Sequence, residues 1–117
     1  MSLPLDFLSS TIQHSLEDSK ALDITTISLR GKTDIAESMV IATGTSARHV
    51  SSIAENLAQA LKDAGHPSVQ LEGLRTSDWV LVDADDIIVH IFRPEAREHY
   101  ALERMWEHAA AVRDKQA

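Results

Sequence analysis

The chain has 117 residues, with 11 lysines and arginines against 18 acidic residues, a formal charge of −7, and no cysteine. A hydrophobic fraction of 44% excludes a disordered tail, and the missing cysteines exclude disulfides and Cys-based zinc sites. No apolar run approaches the ~20 residues that span a bilayer, and the first residues lack the basic and apolar regions of a signal peptide. We therefore expect a cytoplasmic protein with one domain over residues 1–117 and no membrane association.

The first half of the chain predicts a helix, two strands and a second helix. Apolar residues at helical spacing predict a helix over residues 4–20, and β-branched residues predict a strand over 23–29. A continuous apolar run over 39–42 is typical of a buried strand. The turn Gly44-Thr45-Ser46 then provides a helix N-cap, and Gly65 with Pro67 ends the helix that follows.

The second half predicts three strands and a final helix. The strands cover residues 69–71, 79–82 and 87–92, and the separator between the last two is too short for a crossover, so these two strands should form an antiparallel hairpin. Pro94 opens a helix in which Leu102, Met105, Trp106 and Ala109 share a face. The order α-β-β-α-β-β-β-α predicts a single α/β domain with a mixed five-stranded sheet flanked by helices.

Two features could support catalysis, and each has a simpler structural interpretation. Gly44-Thr45-Ser46 could bind an anion at a helix N-terminus, but it lacks the known phosphate-loop patterns and is more typical of a cap and turn. Asp83 and Asp85 could bind Mg²⁺ in a metal-dependent nucleotidyltransferase, but the same residues fit an acidic hairpin turn.

The six histidines show no zinc-binding spacing, and no nucleophile has a recognisable motif. His90 interrupts the most apolar strand, which favours a buried histidine with a structural hydrogen bond over a ligand or an acid/base group. We therefore expect a protein that is not an enzyme and that uses no cofactor or metal.

The acidity is concentrated in residues 72–92, where five acidic residues stand against Arg75 alone, a local charge of −4. Four of the five aromatic residues also lie in the last forty positions. Such a segment is a poor surface for a phosphate backbone and a plausible one for a basic protein. Aromatic and arginine residues are typical of interface hot spots, but aromatic residues also dominate cores, so the pattern alone leaves both interpretations open.

The run DWVLVDADDIIVHIFRPEAREHYALERMW, residues 78–106, resembles the characteristic motif of the ribosomal silencing factors, also called the Iojap-like family. Gly44-Thr45-Ser46 before a helix, and Glu72-Gly73 before Trp79, stand in the order that this family shows. The resemblance covers about residues 6–112. One departure is Ala84-Asp85-Asp86, which replaces a glycine-bearing turn and leaves the turn type open.

The resemblance implies a nucleotidyltransferase-like fold without established catalysis. It further implies binding to the large ribosomal subunit through ribosomal protein fourteen, a basic protein of the intersubunit face, with little direct nucleic-acid contact. This binding would sterically block joining of the small subunit and repress translation, notably under nutrient limitation. The family also implies a homodimer in isolation.

The family motif assigns partner-binding roles to a set of residues in the second half of the chain. Trp79, Tyr100 and Leu102 would supply apolar contact area, and Glu72, Asp78 and Asp83 the charge complementary to a basic partner. Arg97 and Glu103 would pair with each other or with the partner. The expected partner-binding residues are Glu72, Asp78, Trp79, Asp83, His90, Arg97, Tyr100, Leu102, Glu103 and Trp106.

Overall fold

The computed structural model describes residues 4–34, 36–66 and 68–100, the last three of these by their backbone alone. Three helices and five strands follow in the predicted order. The helices are α1 (Leu5–Asp18), α2 (Ala47–Asp63) and α3 (Pro94–Tyr100). The strands are β1 (Leu22–Ser28), β2 (Ser38–Thr43), β3 (Gln70–Glu72), β4 (Trp79–Ala84) and β5 (Ile87–Phe92).

The strands form a single mixed sheet in the order β1-β2-β5-β4-β3. The two central strands, β2 and β5, are parallel, and every other neighbouring pair is antiparallel. The parallel pair is possible because α2, β3 and β4 lie between β2 and β5 in the chain and provide the long crossover that parallel strands require. The predicted α/β class, mixed five-stranded sheet and β4–β5 hairpin are all confirmed.

One face of the sheet is covered by α1 and α2, and this layer holds the larger hydrophobic core. The helices contribute apolar residues at three- and four-residue spacing, and the strands contribute alternate residues, as the two periodicities require. The fully buried members include Ile12, Leu57, Val82, Val89 and Ile91.

The opposite face, called here the second face, carries a smaller core. Met39 and Ile41 on β2 pack there with Phe92 on β5, and Ala96 of α3 packs against them from outside. These contacts cover the β1–β2 half of the second face. On the β4 half, side chains such as Trp79 and Leu81 are partly exposed.

Both ends of α2 follow from the local sequence. The backbone N–H of His49 donates to the Ser46 Oγ at 3.1 Å, so Ser46 is the predicted N-cap. At the other end Gly65 adopts φ +93°, and the His66 N–H donates to the Leu61 carbonyl in the pattern that closes many helices at a glycine.

The β4–β5 hairpin closes through Asp85 and Asp86. Asp85 takes φ +64°, a conformation that Asp tolerates better than most residues, and its N–H donates to the Asp83 carboxylate at 2.9 Å. Asp86 N–H donates to the Ala84 carbonyl at 2.9 Å. The acidic residues thus supply the turn geometry that a glycine would otherwise provide.

The predicted final helix begins at Pro94 as expected and is described as far as Tyr100. Its predicted continuation with Leu102, Met105, Trp106 and Ala109 lies outside the described residues. Of the helices in the described part of the chain, none has the length and apolar character that crossing a membrane requires.

Candidate partner-binding surface on the second face

Strand alternation and register bring several of the predicted binding residues onto the second face. On β4, Trp79, Leu81 and Asp83 point to this side, because alternate residues share a face. Leu81 lies directly between Glu72 on β3 and His90 on β5. We call these five residues, Glu72, Trp79, Leu81, Asp83 and His90, the acidic–aromatic face.

Three rings form the floor of this surface. Trp79 packs against Phe92 with ring centroids 5.0 Å apart and against His90 at 5.7 Å, and the His90 and Phe92 centroids are 6.2 Å apart. The Trp79 Nε1–H donates to the His90 Nδ1 at 2.9 Å, so the polar tip of the partly buried indole is paired. The stack holds the Trp79 ring in a fixed orientation.

His90 is 7% exposed, which confirms the sequence-based interpretation of a buried histidine with a structural hydrogen bond. Burial lowers the pKa of His90 from 6.5 to about 4, because the charged ring loses its hydration. The acceptor role of Nδ1 places the ring proton on Nε2. His90 is therefore neutral at pH 7, and its predicted contact with a partner stays a prediction.

A shallow groove of about 290 Å³ opens on this face between Glu72, Gly73, Trp79 and Leu81. Gly73 is required here for two reasons. It adopts φ +91°, and a Cβ at this position would lie 2.3 Å from the Trp79 carbonyl oxygen. The glycine therefore lets the β3–β4 connection pass close to the start of β4, which shapes one wall of the groove.

The acidic side chains around this face differ in how they are held. Glu72 is exposed at the end of β3. Asp78 forms an ion pair with Arg93, with 3.0 Å between its Oδ1 and the arginine Nε. Asp83 is half-buried and accepts the hydrogen bond from Asp85 that shapes the hairpin turn. Glu72 is thus the more exposed of the two acidic residues of the acidic–aromatic face.

The Asp83–Asp85 pair is part of that turn. Within residues 4–34, 36–66 and 68–100, no three His, Asp or Glu side chains come together as metal ligands would. The acidic-turn interpretation of these residues accounts for the geometry that the structure shows.

Arg97 lies at the far side of the second face from β4. Its guanidinium donates to acceptors on β1 and β2, including the Thr43 Oγ1 at 2.8 Å. Tyr100 is the last described residue of α3, and nothing is described of its side chain. Leu102, Glu103 and Trp106 lie outside the described residues. Partner contacts by these four residues and by Arg97 stay predictions.

Sequence reasoning missed two residues of this region. Leu81 contributes to the groove, and the alternation of Trp79, Leu81 and Asp83 along one strand was the signal that could have identified it. Arg93 holds Asp78, and its position just beyond β5 could not indicate this pairing without the sheet register.

A family model described as "Ribosomal silencing factor during starvation" matches residues 5–117 of the chain. The chain belongs to this family. A protein from Zymomonas mobilis named "Ribosomal silencing factor RsfS" is 50% identical over 101 residues, which cover 86% of this chain and 76% of that protein. A protein of the same name from Haemophilus influenzae is 43% identical over 95 residues, covering 81% of this chain and 93% of that protein.

The fold is shared with a protein of known structure. The crystal structure of a Chromobacterium violaceum protein superimposes with a TM-score of 0.86 at 34% sequence identity. The match covers 90% of this chain and 88% of that one. The resemblance to the ribosomal silencing factors stated from the motif is therefore confirmed.

Proposed function

We propose that this protein represses translation in the cytoplasm by binding the large ribosomal subunit and blocking its association with the small subunit. The proposed partner is large-subunit ribosomal protein fourteen, a basic protein of the intersubunit face, and the proposed setting is nutrient limitation. Membership of the silencing-factor family supports the ribosomal role. The finer assignment rests on the resemblance and on the chemistry of the acidic–aromatic face.

The observation that carries the proposal is the composition of this face. Trp79 and Leu81 offer partly exposed apolar area at its centre, and Glu72 places a carboxylate at its edge. Protein interfaces combine an apolar, often aromatic centre with a polar rim in the same way. The rim is acidic, so the complementary partner is a basic protein surface.

The same charges disfavour RNA as the direct ligand. RNA binding depends on lysine and arginine that neutralise phosphates, whereas the acidic–aromatic face carries Glu72 and Asp83. The lysine and arginine side chains of a basic ribosomal protein would form ion pairs with these carboxylates, whereas RNA phosphates would be repelled by them.

Repression of this kind needs no chemical step. A 12.9 kDa domain held by an interface of about 1,600 Å² is large enough to obstruct a docking surface on the subunit. We accordingly propose a binding protein rather than an enzyme. The homodimer that the resemblance implies is a separate prediction, and light scattering coupled to size-exclusion chromatography would check it.

Co-sedimentation with purified large subunits in sucrose gradients tests the proposal, together with a light-scattering assay of subunit joining. Glu72→Lys reverses the exposed charge of the acidic–aromatic face. Glu55→Lys makes the same change on the outer side of α2, on the opposite side of the sheet, and is the matched control.

The unsubstituted protein and Glu55→Lys should both co-sediment with large subunits and reduce subunit joining. Glu72→Lys should weaken binding about tenfold or more, the range in which charge reversal at a complementary interface acts. Failure of the unsubstituted protein to bind would refute the function. Equal binding by the two variants would refute the assignment of the face.

A further inference from the structure

Among the described residues, Arg97 donates hydrogen bonds to three acceptors on β1 and β2. Its Nη1 donates to the Asp23 carbonyl oxygen at 2.6 Å and to the Thr43 Oγ1 at 2.8 Å. Its Nη2 donates to the Thr25 Oγ1 at 3.2 Å. These acceptors are 54 to 74 positions away in sequence, so the guanidinium connects α3 to the β1–β2 side of the sheet.

The two strands provide these acceptors through specific local features. The register of β1 against β2 shifts between Leu22 and Thr25, and Asp23 within this bulge takes φ +49°. A bulge re-aims the backbone of the strand, and here the Asp23 carbonyl meets the guanidinium. Thr43 ends β2 and is 4% exposed, so its hydroxyl needs a partner inside the domain.

The position of α3 depends on such tertiary contacts. Helices in proteins draw most of their stability from tertiary packing rather than from their own helix propensity. Ala96 contributes a small apolar contact with the second face, and Arg97 contributes the directional hydrogen bonds. The planar guanidinium can meet several acceptors in a fixed arrangement, which the single ammonium of lysine cannot.

We propose that Arg97 is a positioning residue for partner binding. By fixing α3 against β1 and β2, it sets the position of α3 relative to the acidic–aromatic face, and it does so without contacting the partner. This inference rests on the proposed function, and it replaces a direct ionic contact of Arg97 with a structural role.

A double-mutant cycle on the affinity for purified large subunits tests this inference. Arg97→Met removes the donors and keeps an apolar stem, and Thr43→Val removes one acceptor with nearly unchanged shape. Thr43 is 4% exposed, so it offers the partner almost no contact area, and its hydroxyl accepts directly from Arg97. Thr26→Val, on an exposed position of β1, is the matched control.

Arg97→Met should raise the Kd about tenfold or more, and Thr43→Val should raise it about threefold or more. The double variant should bind about as weakly as Arg97→Met alone, because both changes disrupt the same connection. Arg97→Lys should restore only part of the affinity. Unchanged binding by Thr43→Val, or effects of the two changes that simply add, would overturn the inference in favour of a direct contact.

A spectroscopic measurement distinguishes positioning from simple stabilisation of the fold. The chain has no cysteine, so spin labels can be attached specifically at Glu55→Cys on α2 and Glu95→Cys on α3. Arg97→Met should broaden or shift the distance distribution between the labels in the folded protein. An unchanged distribution combined with a lower urea midpoint would overturn the positioning role.

The two hypotheses fail in different ways. If the unsubstituted protein does not bind large subunits, the proposed function fails, and the label distances still report whether Arg97 positions α3. If the protein binds and Thr43→Val has no effect on the Kd, the function stands and the role of Arg97 is refuted.

Discussion

Acidification should destabilise this protein through His90. In the unfolded chain the pKa of this histidine is near 6.5, whereas burial lowers it to about 4 in the folded protein. Between these values the unfolded chain binds more protons than the folded domain does. The stabilisation associated with the neutral ring is therefore complete above pH 6.5 and is lost progressively as the pH falls towards 4.

The pKa difference sets the size of the effect. Each pKa unit corresponds to about 1.4 kcal/mol, so His90 alone should lower the free energy of unfolding by about 2 kcal/mol between pH 7 and pH 4.5. The hydrogen bond from Trp79 acts in the same direction. A proton on His90 Nδ1 would point at the indole N–H and remove the acceptor.

Urea unfolding followed by far-ultraviolet circular dichroism at several pH values measures this effect. Carboxylates also titrate in this range, so the decisive quantity is the difference between the unsubstituted protein and His90→Gln. His14→Gln is the control, because His14 is exposed on α1.

His90→Gln should be less stable than the unsubstituted protein at pH 7 and should lose about 2 kcal/mol less on acidification to pH 4.5. His14→Gln should follow the unsubstituted protein at every pH. Parallel stability curves for the unsubstituted protein and His90→Gln would refute the argument, because they would show that His90 titrates alike in the folded and unfolded states.

Three further substitutions test the local structure, each by urea unfolding against a matched control. Gly73→Ala should lower the free energy of unfolding by about 2 kcal/mol or more, because the new Cβ meets the Trp79 carbonyl oxygen. Gly31 has φ +79° but open space around a Cβ, so Gly31→Ala should lower it by only about 1 kcal/mol. Equal losses would contradict the close approach at Gly73. Ser46→Ala should lower the free energy of unfolding by about 1 kcal/mol, because it removes the N-cap of α2. Ser52 is exposed on the same helix, and a comparable loss in Ser52→Ala would show that the cap is not the cause. Leu57→Ala should lower the free energy of unfolding by about 3 kcal/mol, because Leu57 is fully buried. Leu22 is 46% exposed, so Leu22→Ala should have little effect. Similar losses at both sites would contradict the core assignment.

The elements with local causes could be predicted from the sequence. Ser46 and Gly65 set the ends of α2 through a side-chain cap and a positive φ, and both signals lie within a few residues of the ends they determine. The β4–β5 hairpin followed from the length of its separator. The type of this turn could not be predicted from the sequence, because several turn types accept aspartate at the position of Asp85.

Features that depend on the sheet register could not be predicted from the sequence. The register of the β4–β5 hairpin places Trp79 opposite Phe92 and diagonally next to His90, and only this register shows that the indole N–H and the imidazole form one hydrogen bond. The motif likewise included Arg97 but did not indicate which groups accept its hydrogen bonds, because Asp23 and Thr43 are brought to it by tertiary structure.

The ring stack of Trp79, His90 and Phe92 belongs at once to a core and to the surface proposed to meet the ribosome. Phe92 is fully buried while Trp79 is partly exposed, so the folding of the sheet already orients the ring that is proposed to contact the partner. Little side-chain ordering then remains for the moment of binding, which favours rigid-body docking. It also means that affinity and folding stability cannot evolve independently at these positions, because a change in one ring alters both.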